Sequence, residues 1–271
     1  MERGKGGNSQ RMSETSHKLE WATVTSRRDL SDDLWVIRVR PQERLAFKPG
    51  QYVALGVEVE GRVIERPFSI ASAPHEDEAE FFLELVHGGG LTPHLHARHV
   101  GDKLYMRRQA KGLFTMDTAS QHQKHFLVAT VTGVAPYVSM VRSLAEQARH
   151  GHRIDGEFVV MQGASRPWEF AYQDEFEELA RQAHWFRYLP TVSRPWEDSS
   201  WTGEVGRIED VLRKYIDLLN FEPFNTTTYL CGHPEMILNC KGILARRGFA
   251  KEFIREEVYW VPKKGEHPEQ P

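Results

Sequence analysis

Cysteine is almost missing from this sequence. Cys231 and Cys240 are the only two among 271 residues. Two thiols cannot build a disulfide framework, and an iron–sulfur cluster takes about four cysteine ligands. Long apolar runs are missing too: no stretch reaches the roughly 18 residues that read as a membrane span. The N-terminus does not carry the apolar core of a secretory signal. The expectation is a cytoplasmic protein with no membrane span. A large charge excess is also lacking. The formal net charge is −3, too weak a field to argue for nucleic acid as a partner. With 40% hydrophobic and 27% charged residues, the composition is that of a water-soluble globular protein. The length suits two domains, each able to bury its own core. No internal repeat stands out.

Residues 1–17 are polar, glycine-rich and aperiodic, and read as a disordered tail, with Met12 as an alternative initiator. Residues 18–118 read as strands. WATVTSR, DLWVIRVR, QYVALGVEV, RPFSIAS, EFFLELV and DKLYMRRQ are rich in β-branched and aromatic residues. Turn signals such as Lys48-Pro49-Gly50, Glu60-Gly61 and Val100-Gly101-Asp102 separate them. About six strands at this spacing predict a closed antiparallel barrel. A short helix is expected over Thr92–His99. Residues 119–260 alternate differently: strand HFLVAT, helix Tyr137–His150, strand EFVVMQGA, helix Tyr172–Ala183, strand HWFRYLPTVS, helix Arg207–Leu219, strand TTTYLCG, helix Pro234–Arg247 and a last strand EEVYWV. This alternation predicts a doubly wound parallel sheet with helices on both faces. Residues 261–271 form a polar C-terminal tail. The expected fold class is an N-terminal antiparallel β-barrel followed by an α/β domain.

Several short segments carry chemistry. In Arg66-Pro67-Phe68-Ser69 an arginine can grip a phosphate, a phenyl ring can stack on a flat ring, and a hydroxyl can bond a ring nitrogen. Arg66 and Phe68 share one side of a strand. An ordinary strand with a surface arginine is the plain alternative. Gly88-Gly89-Gly90-Leu91-Thr92-Pro93 joins a flexible loop to a helix start, where backbone amides attract anions; a simple capped hairpin loop is the alternative. Thr130-Val131-Thr132-Gly133-Val134-Ala135-Pro136 lies between strand and helix, where doubly wound folds take nucleotide phosphates. It lacks the full glycine fingerprint of dinucleotide sites. Cys231-Gly232-His233-Pro234 ends a strand and starts a helix, which sets Cys231 at the carboxyl end of the sheet, or simply in the core. Arg166, Arg194 and Arg207 each follow a small residue near the end of an α/β element and suit a bidentate phosphate grip. His94, His96 and His99 have no acidic companion, and a solvated helix is preferred over a metal site.

Taken in order, KPGQYVAL, RPFSIASAP, GGGLTPHL, LVATVTGVAPYVSMVRSL and YLCGHPEMI resemble the ferredoxin–NADP reductase family, in particular its bacterial ferredoxin/flavodoxin reductases. The resemblance runs over roughly residues 19–260. It implies that the barrel binds FAD and the α/β domain NADP(H). Arg66 would bind the FAD pyrophosphate within the Arg66-Pro67-Phe68-Ser69 motif. Phe68 would lie against the isoalloxazine, where most members have Tyr, and Ser69 near flavin N5. Thr92 would bond a pyrophosphate oxygen. The 130–136 loop, with Thr132 and Gly133, would take the NADPH pyrophosphate. Cys231 would sit beside the nicotinamide. Glu257 would act near the flavin, with Tyr259 stacking on it and Trp260 on the FAD adenine. Ser69, Cys231 and Glu257 are thus the implied catalytic set. Arg166, Arg194 and Arg207 stand where bacterial members hold the 2′-phosphate, so NADPH is expected over NADH. Each charge-assisted bond lost with NADH would remove about 1.5–3 kcal/mol. Val131 departs from the family's glycine in this loop; valine resists φ > 0, which predicts weaker approach of the pyrophosphate or a shifted loop.

The partner implied by the resemblance is an acidic one-electron carrier, ferredoxin or flavodoxin, drawn by Arg98, Arg107, Arg108 and Lys111. Two other readings stand beside it. One is a reductase component of an oxygenase, or a reductase of free flavin or quinone. The other is a flavin-binding module or siderophore-interacting protein without efficient NADPH turnover.

Overall fold

The computed structural model describes residues 19–258. They divide into two compact units. One runs to Thr115 and takes in Val138–Ser143; the other comprises Met116–Tyr137 and the chain from Leu144.

The first unit holds β1 (Leu19–Asp29), β2 (Leu34–Pro41), β3 (Tyr52–Val59), β4 (Arg62–Ser69), β5 (Ala79–Glu84), the single-turn helix α1 (Thr92–His96) and β6 (Lys103–Arg107). The strands form one antiparallel sheet in the order β4-β3-β6-β1-β2-β5. Alternation builds its core. Trp35, Ile37 and Val39 on β2, Val53, Leu55 and Val57 on β3, and Phe81 and Leu83 on β5 all face inward and are buried. Each such side chain contributes about 1.5–3 kcal/mol on burial. The sheet curls into a half-barrel rather than the closed barrel predicted. Among the described residues no ladder joins β4 to β5; beyond the end of β4 the Ala71 amide donates to the Glu80 carbonyl at 2.8 Å and the Ser72 hydroxyl accepts from the Glu80 amide at 3.1 Å. The predicted fourth strand began at Arg66, but β4 starts at Arg62. Glu60 and Gly61 make a tight turn, both with positive φ, and lay Arg62–Ser69 along the whole of β3. The short helix also stops early, at His96, with Ala97 capping it. At Gly50, φ is +94° and a Cβ would fall 2.0 Å from the Phe114 carbonyl, so only glycine fits this turn.

The remaining elements are β7 (Lys124–Thr130), α2 (Ala135–Arg149), β8 (Glu157–Ala164), α3 (Gln173–Gln182), β9 (Phe186–Val192), β10 (Glu204–Val205), α4 (Ile208–Leu218), β11 (Thr226–Gly232), α5 (Pro234–Arg246) and β12 (Ile254–Val258). The strands form a parallel sheet in the order β10-β9-β8-β7-β11-β12. From β7 the chain winds outward to one side through β8, β9 and β10, then returns to lay β11 on the other side. The switch of direction falls between β7 and β11, where ligand crevices open in sheets of this class. Helix α4 shows why it packs here: Ile208, Val211, Leu212 and Ile216 fall on one face and are buried against the sheet core with Phe126, Val128 and Met161. Helix α2 starts at Ala135, not Tyr137. Val131–Val134 forms a 3-10 turn that runs straight into it, and Pro136 in its first turn has no amide to leave unbonded. The two-residue strand β10 was not foreseen, being too short to carry a pattern.

A buried polar network secures the start of β7 and β11. The Tyr229 hydroxyl accepts from the Asp117 amide at 2.8 Å and meets His125 Nδ1 at 3.1 Å. Arg255 pairs with Asp117 at 3.0 Å, and the Thr227 hydroxyl donates to the same carboxylate at 3.2 Å. Burial opposes the Asp117 charge, but hydrogen bonds from Ser120, the Ala119 amide and Thr227, with the Arg255 charge, outweigh it and bring the carboxyl down to about 2. Burial pushes His125 down to about 4. His125 is therefore neutral in the fold while an unfolded chain takes up a proton below about 6.5. Its stabilisation is complete above that value and is lost as pH falls toward 4. The Asp117 contribution follows, lost between the ordinary carboxylate value and about pH 2. Urea unfolding followed by circular dichroism should show stability dropping by about 2–3 kcal/mol between pH 7 and pH 4 from His125 alone. In His125→Gln, that part of the slope should vanish.

Candidate functional site

In the first unit the Arg66-Pro67-Phe68-Ser69 motif occupies the second half of β4, an edge strand, where Pro67 is tolerated because its missing amide faces no partner strand. Arg66 is exposed and, among the described residues, bonds only the Glu65 carbonyl, at 2.8 Å. The neighbouring carboxylate does not neutralise it. Glu65 is held by the Arg107 guanidinium, through Nε at 2.7 Å and through a second bond from Nη2, and this hydrogen bonding keeps its carboxyl below the usual carboxylate range. Among the described residues no carboxylate pairs with Arg66. Phe68 is half-buried against the sheet core, and Ser69 is buried. Thr92 is the first residue of α1 rather than its cap, which is Leu91. Its hydroxyl accepts from the Val86 amide at 2.9 Å and closes the glycine loop. Gly88 has φ +73°, and side-chain positions at Gly88 and Gly90 look into open space. An exposed arginine charge and a bare glycine backbone fit a diphosphate.

The four basic residues expected to draw a carrier do not form a free positive patch. Arg107 is spent on Glu65, and Arg108 lies 3.6 Å from Glu20 and 3.9 Å from Glu43. Arg98 is half-buried, with its carbonyl accepting from Arg27 at 2.8 Å. Lys111 is exposed. Of the three histidines, His96 sits edge-on to Trp35, with ring centres 4.8 Å apart, while His99 lies beyond the helix. Among the described residues no group of His, Cys, Asp and Glu is placed to hold a metal, and no helix is long and apolar enough to cross a membrane.

In the second unit, two turns meet at the switch point. A Cβ on Gly133 would lie 2.4 Å from the Cys231 carbonyl oxygen; one on Gly232, where φ is +125°, would lie 2.3 Å from Thr130 Oγ1. Only glycine permits either approach. The Thr130 hydroxyl oxygen accepts from the His233 amide at 2.9 Å, and His233 caps α5 by accepting from the Glu235 amide at 3.2 Å. Thr132 and Gly133 are buried in this packing, and Cys231 is wholly enclosed. The β11–β12 register sets Glu257 directly beside Cys231, so two of the three sequence-predicted catalytic residues come together. Tyr259 and Trp260 lie outside the described residues.

Val131 does take the conformation that valine resists: its φ is +41°. Two anchors hold it. The Val131 carbonyl accepts from the buried Gln162 side chain at 3.2 Å, and Gln162 accepts from Tyr188 at 2.8 Å. Its side chain packs on Ala164, Phe170 and Val192. Sequence reasoning missed Gln162, because a lone glutamine inside an apolar strand carries no motif.

Sequence reasoning also missed a twin motif. Ser165-Arg166-Pro167-Trp168-Glu169 follows β8, and Ser193-Arg194-Pro195-Trp196-Glu197 follows β9. The β8–β9 register pairs Ala164 with Val192, and the ladder continues beyond it: Ser193 donates to the Ala164 carbonyl at 3.0 Å and Arg194 to Ser165 at 2.9 Å. Arg166 and Arg194 therefore stand side by side. Each pentapeptide closes as a 3-10 turn started by its proline. Arg166 pairs with Glu197 and, at 3.2 Å, with Glu169, and it lies over the Trp168 ring; Arg194 reaches Glu197 at 3.7 Å. Arg207 is the exposed N-terminal cap of α4, its amide donating to Asp210 at 3.2 Å.

Comparison with known proteins decides what this arrangement belongs to. Residues 21–114 match the oxidoreductase FAD-binding domain and residues 127–241 the oxidoreductase NAD-binding domain. A ferredoxin–NADP reductase of Azotobacter vinelandii is 29% identical over 220 residues, which cover 76% of this chain and 81% of that protein. The chain carries an oxidoreductase FAD-binding domain and an oxidoreductase NAD-binding domain, and it is similar to ferredoxin–NADP reductases. It is an FAD-dependent oxidoreductase that uses a nicotinamide dinucleotide. The fold is matched as well. A ferredoxin NADP+ reductase from Neisseria gonorrhoeae, solved with bound FAD and NADP, aligns with a TM-score of 0.80 at 22% identity, covering 90% of this chain and 99% of that one. The reductase component DmpP of phenol 2-monooxygenase, from a Pseudomonas strain, is also 29% identical, over 85% of this chain and 63% of that protein. By these two matches the half-barrel is the flavin unit and the parallel sheet the nicotinamide unit.

The close approach at Gly133 sets a sharp expectation. Gly133→Ala should lower stability by about 1–3 kcal/mol, because the neighbour is rigid backbone, and should weaken NADP+ binding while FAD is retained. Val131→Gly should stay within about 1 kcal/mol of the parent, since relief of a left-handed conformation and loss of a packed side chain offset each other. Chemical denaturation and calorimetric titration with NADP+ check both.

Proposed function

We propose that this reductase oxidises NADPH and passes the electrons singly to a separate carrier, ferredoxin or flavodoxin. The observation that carries the donor is the arginine trio. Arg166 and Arg194 are set abreast by strand register, and Arg207 stands at a helix N-terminus, where an anion is also favoured. They are read as the grip on the 2′-phosphate. The 131–134 turn leading into α2 offers backbone amides to the pyrophosphate.

Arg66, paired with no carboxylate among the described residues, and Thr92, at the glycine loop, are read as holding the FAD pyrophosphate. Phe68 would flank the flavin ring, and Ser69 would offer a hydroxyl near the ring nitrogen that receives hydride. FAD, when bound, supplies the conversion of a two-electron donation into single-electron deliveries. The residues supply position and electrostatics. Cys231 would shape the nicotinamide side of the site from within the sheet, and Glu257, its neighbour on β12, would place a carboxylate there. Tyr259 and Trp260 are proposed to stack on the cofactor rings.

The carrier rests on kinship with proteins named ferredoxin– or flavodoxin–NADP reductases. Kinship with an oxygenase reductase component supports a second reading, in which the acceptor is an oxygenase system. The internal pairing of Arg107 and Arg108 argues against a strongly charge-steered carrier of either kind.

Anaerobic titration of the FAD-loaded protein tests the donor. NADPH should bleach the flavin band rapidly, and NADH less efficiently. Arg207→Gln should lower kcat/KM for NADPH about tenfold, the value of one charge-assisted bond, and leave NADH unchanged. A flavin left oxidised by NADPH would refute turnover and favour a binding module.

A further inference from the structure

The two Ser-Arg-Pro-Trp-Glu turns are alike in sequence and unlike in use. Glu169 is buried and serves its own loop: its carboxylate accepts from the Ser165 amide at 2.8 Å as well as from Arg166. Glu197 reaches across to the other turn as well as to its own arginine. Its carboxylate meets the guanidinium groups of Arg166 and Arg194, one from each pentapeptide. All three side chains are about 30% exposed. The hydrogen bond that Arg166 donates to Glu197 is the leading cause that raises the Arg166 pKa above its ordinary value.

We infer that Glu197 is a specificity-determining residue: an internal counter-anion that occupies the guanidinium pair when no 2′-phosphate is present and narrows the enzyme's preference for NADPH over NADH. This rests on the reading of Arg166 and Arg194 as the 2′-phosphate site. The chemistry follows from competition. A phosphate entering between the two arginines must displace or approach a carboxylate, and like charges at that distance repel. A cofactor without the phosphate meets no such contest. Its ribose hydroxyls find a carboxylate that can accept from them, the arrangement that dinucleotide folds use to bind NADH. The site therefore takes both cofactors, with a preference smaller than three arginines alone would give.

The test is calorimetric binding of NADP+ and NAD+ to the FAD-loaded enzyme at fixed ionic strength, for the parent, Glu197→Gln, Glu197→Ala, Arg166→Gln and Arg194→Gln. Retained FAD and an unchanged melting temperature confirm that each variant is folded. The Glu197 side chain is partly exposed and bonds no backbone, so both of its variants should fold. Glu197→Gln and Glu197→Ala should tighten NADP+ about tenfold, in line with one charge-assisted contact restored, while NAD+ stays level or weakens. Tightening of both cofactors alike would overturn the inference, because it would mean a general charge effect. Unchanged NADP+ affinity in the Glu197 variants, with weaker NADP+ binding in the arginine variants, would also overturn it while leaving the phosphate-site reading intact. Unchanged NADP+ affinity in the arginine variants would bring down that reading, and the inference with it.

Discussion

The nicotinamide unit depends on one close approach of backbone to backbone. At the switch point of the parallel sheet, the turn after β7 packs into the turn after β11 with no side chain between Gly133 and the Cys231 carbonyl. A hydroxyl from the first turn, Thr130, takes up the His233 amide at the head of the second. Neither turn can move without the other. Two helix N-termini, those of α2 and α5, are thereby fixed beside each other, and the register of β12 carries Glu257 to the same level as Cys231. The sheet positions the site because its central strands are buried on both faces and cannot slide without exposing apolar side chains.

Val131 shows how such a constraint tolerates a poor residue. A left-handed valine is unfavourable by roughly 1–2 kcal/mol, and it persists because its surroundings over-determine it. The Tyr188–Gln162 chain fixes its carbonyl, and the Ala164, Phe170 and Val192 cluster receives its side chain. The left-handed valine is thus held by packing on the neighbouring strands. Charge is managed with the same economy. Among the described residues Arg66 is left without a carboxylate, because Arg107 takes its neighbour's, whereas Arg166 and Arg194 are compensated from within.

Much of this was legible in the sequence. Short β-branched and aromatic segments between turn signals in the first half and strand–helix alternation in the second predicted both sheets. Motifs that sit at element ends, such as Thr130–Pro136 and Cys231–Pro234, landed where a doubly wound sheet needs them. Boundaries were less readable. Arg62-Val63-Ile64-Glu65 looks like loop because β4 is an edge strand whose outer residues meet water, and the closed barrel failed because closure is set by strand pairing, not by strand content. The pairing of Arg166 and Arg194 through Glu197 depends on the β8–β9 register, which no local pattern encodes. The repeated Ser-Arg-Pro-Trp-Glu was the one available signal, and it is too short to register as a structural repeat. Gln162 and Thr130 act through contacts 31 and 103 residues away in sequence.

A locked pair of turns implies a nicotinamide site that is assembled before the cofactor arrives. Hydrogen–deuterium exchange of the FAD-loaded protein, read over segments 128–137 and 229–237 with and without NADP+, tests it most directly. The His233 amide and the 131–134 turn should exchange slowly in the protein without nucleotide, with little further slowing when NADP+ is added. Fast exchange in both segments that slows only on NADP+ binding would contradict it, and would mean that the cofactor builds the site it occupies.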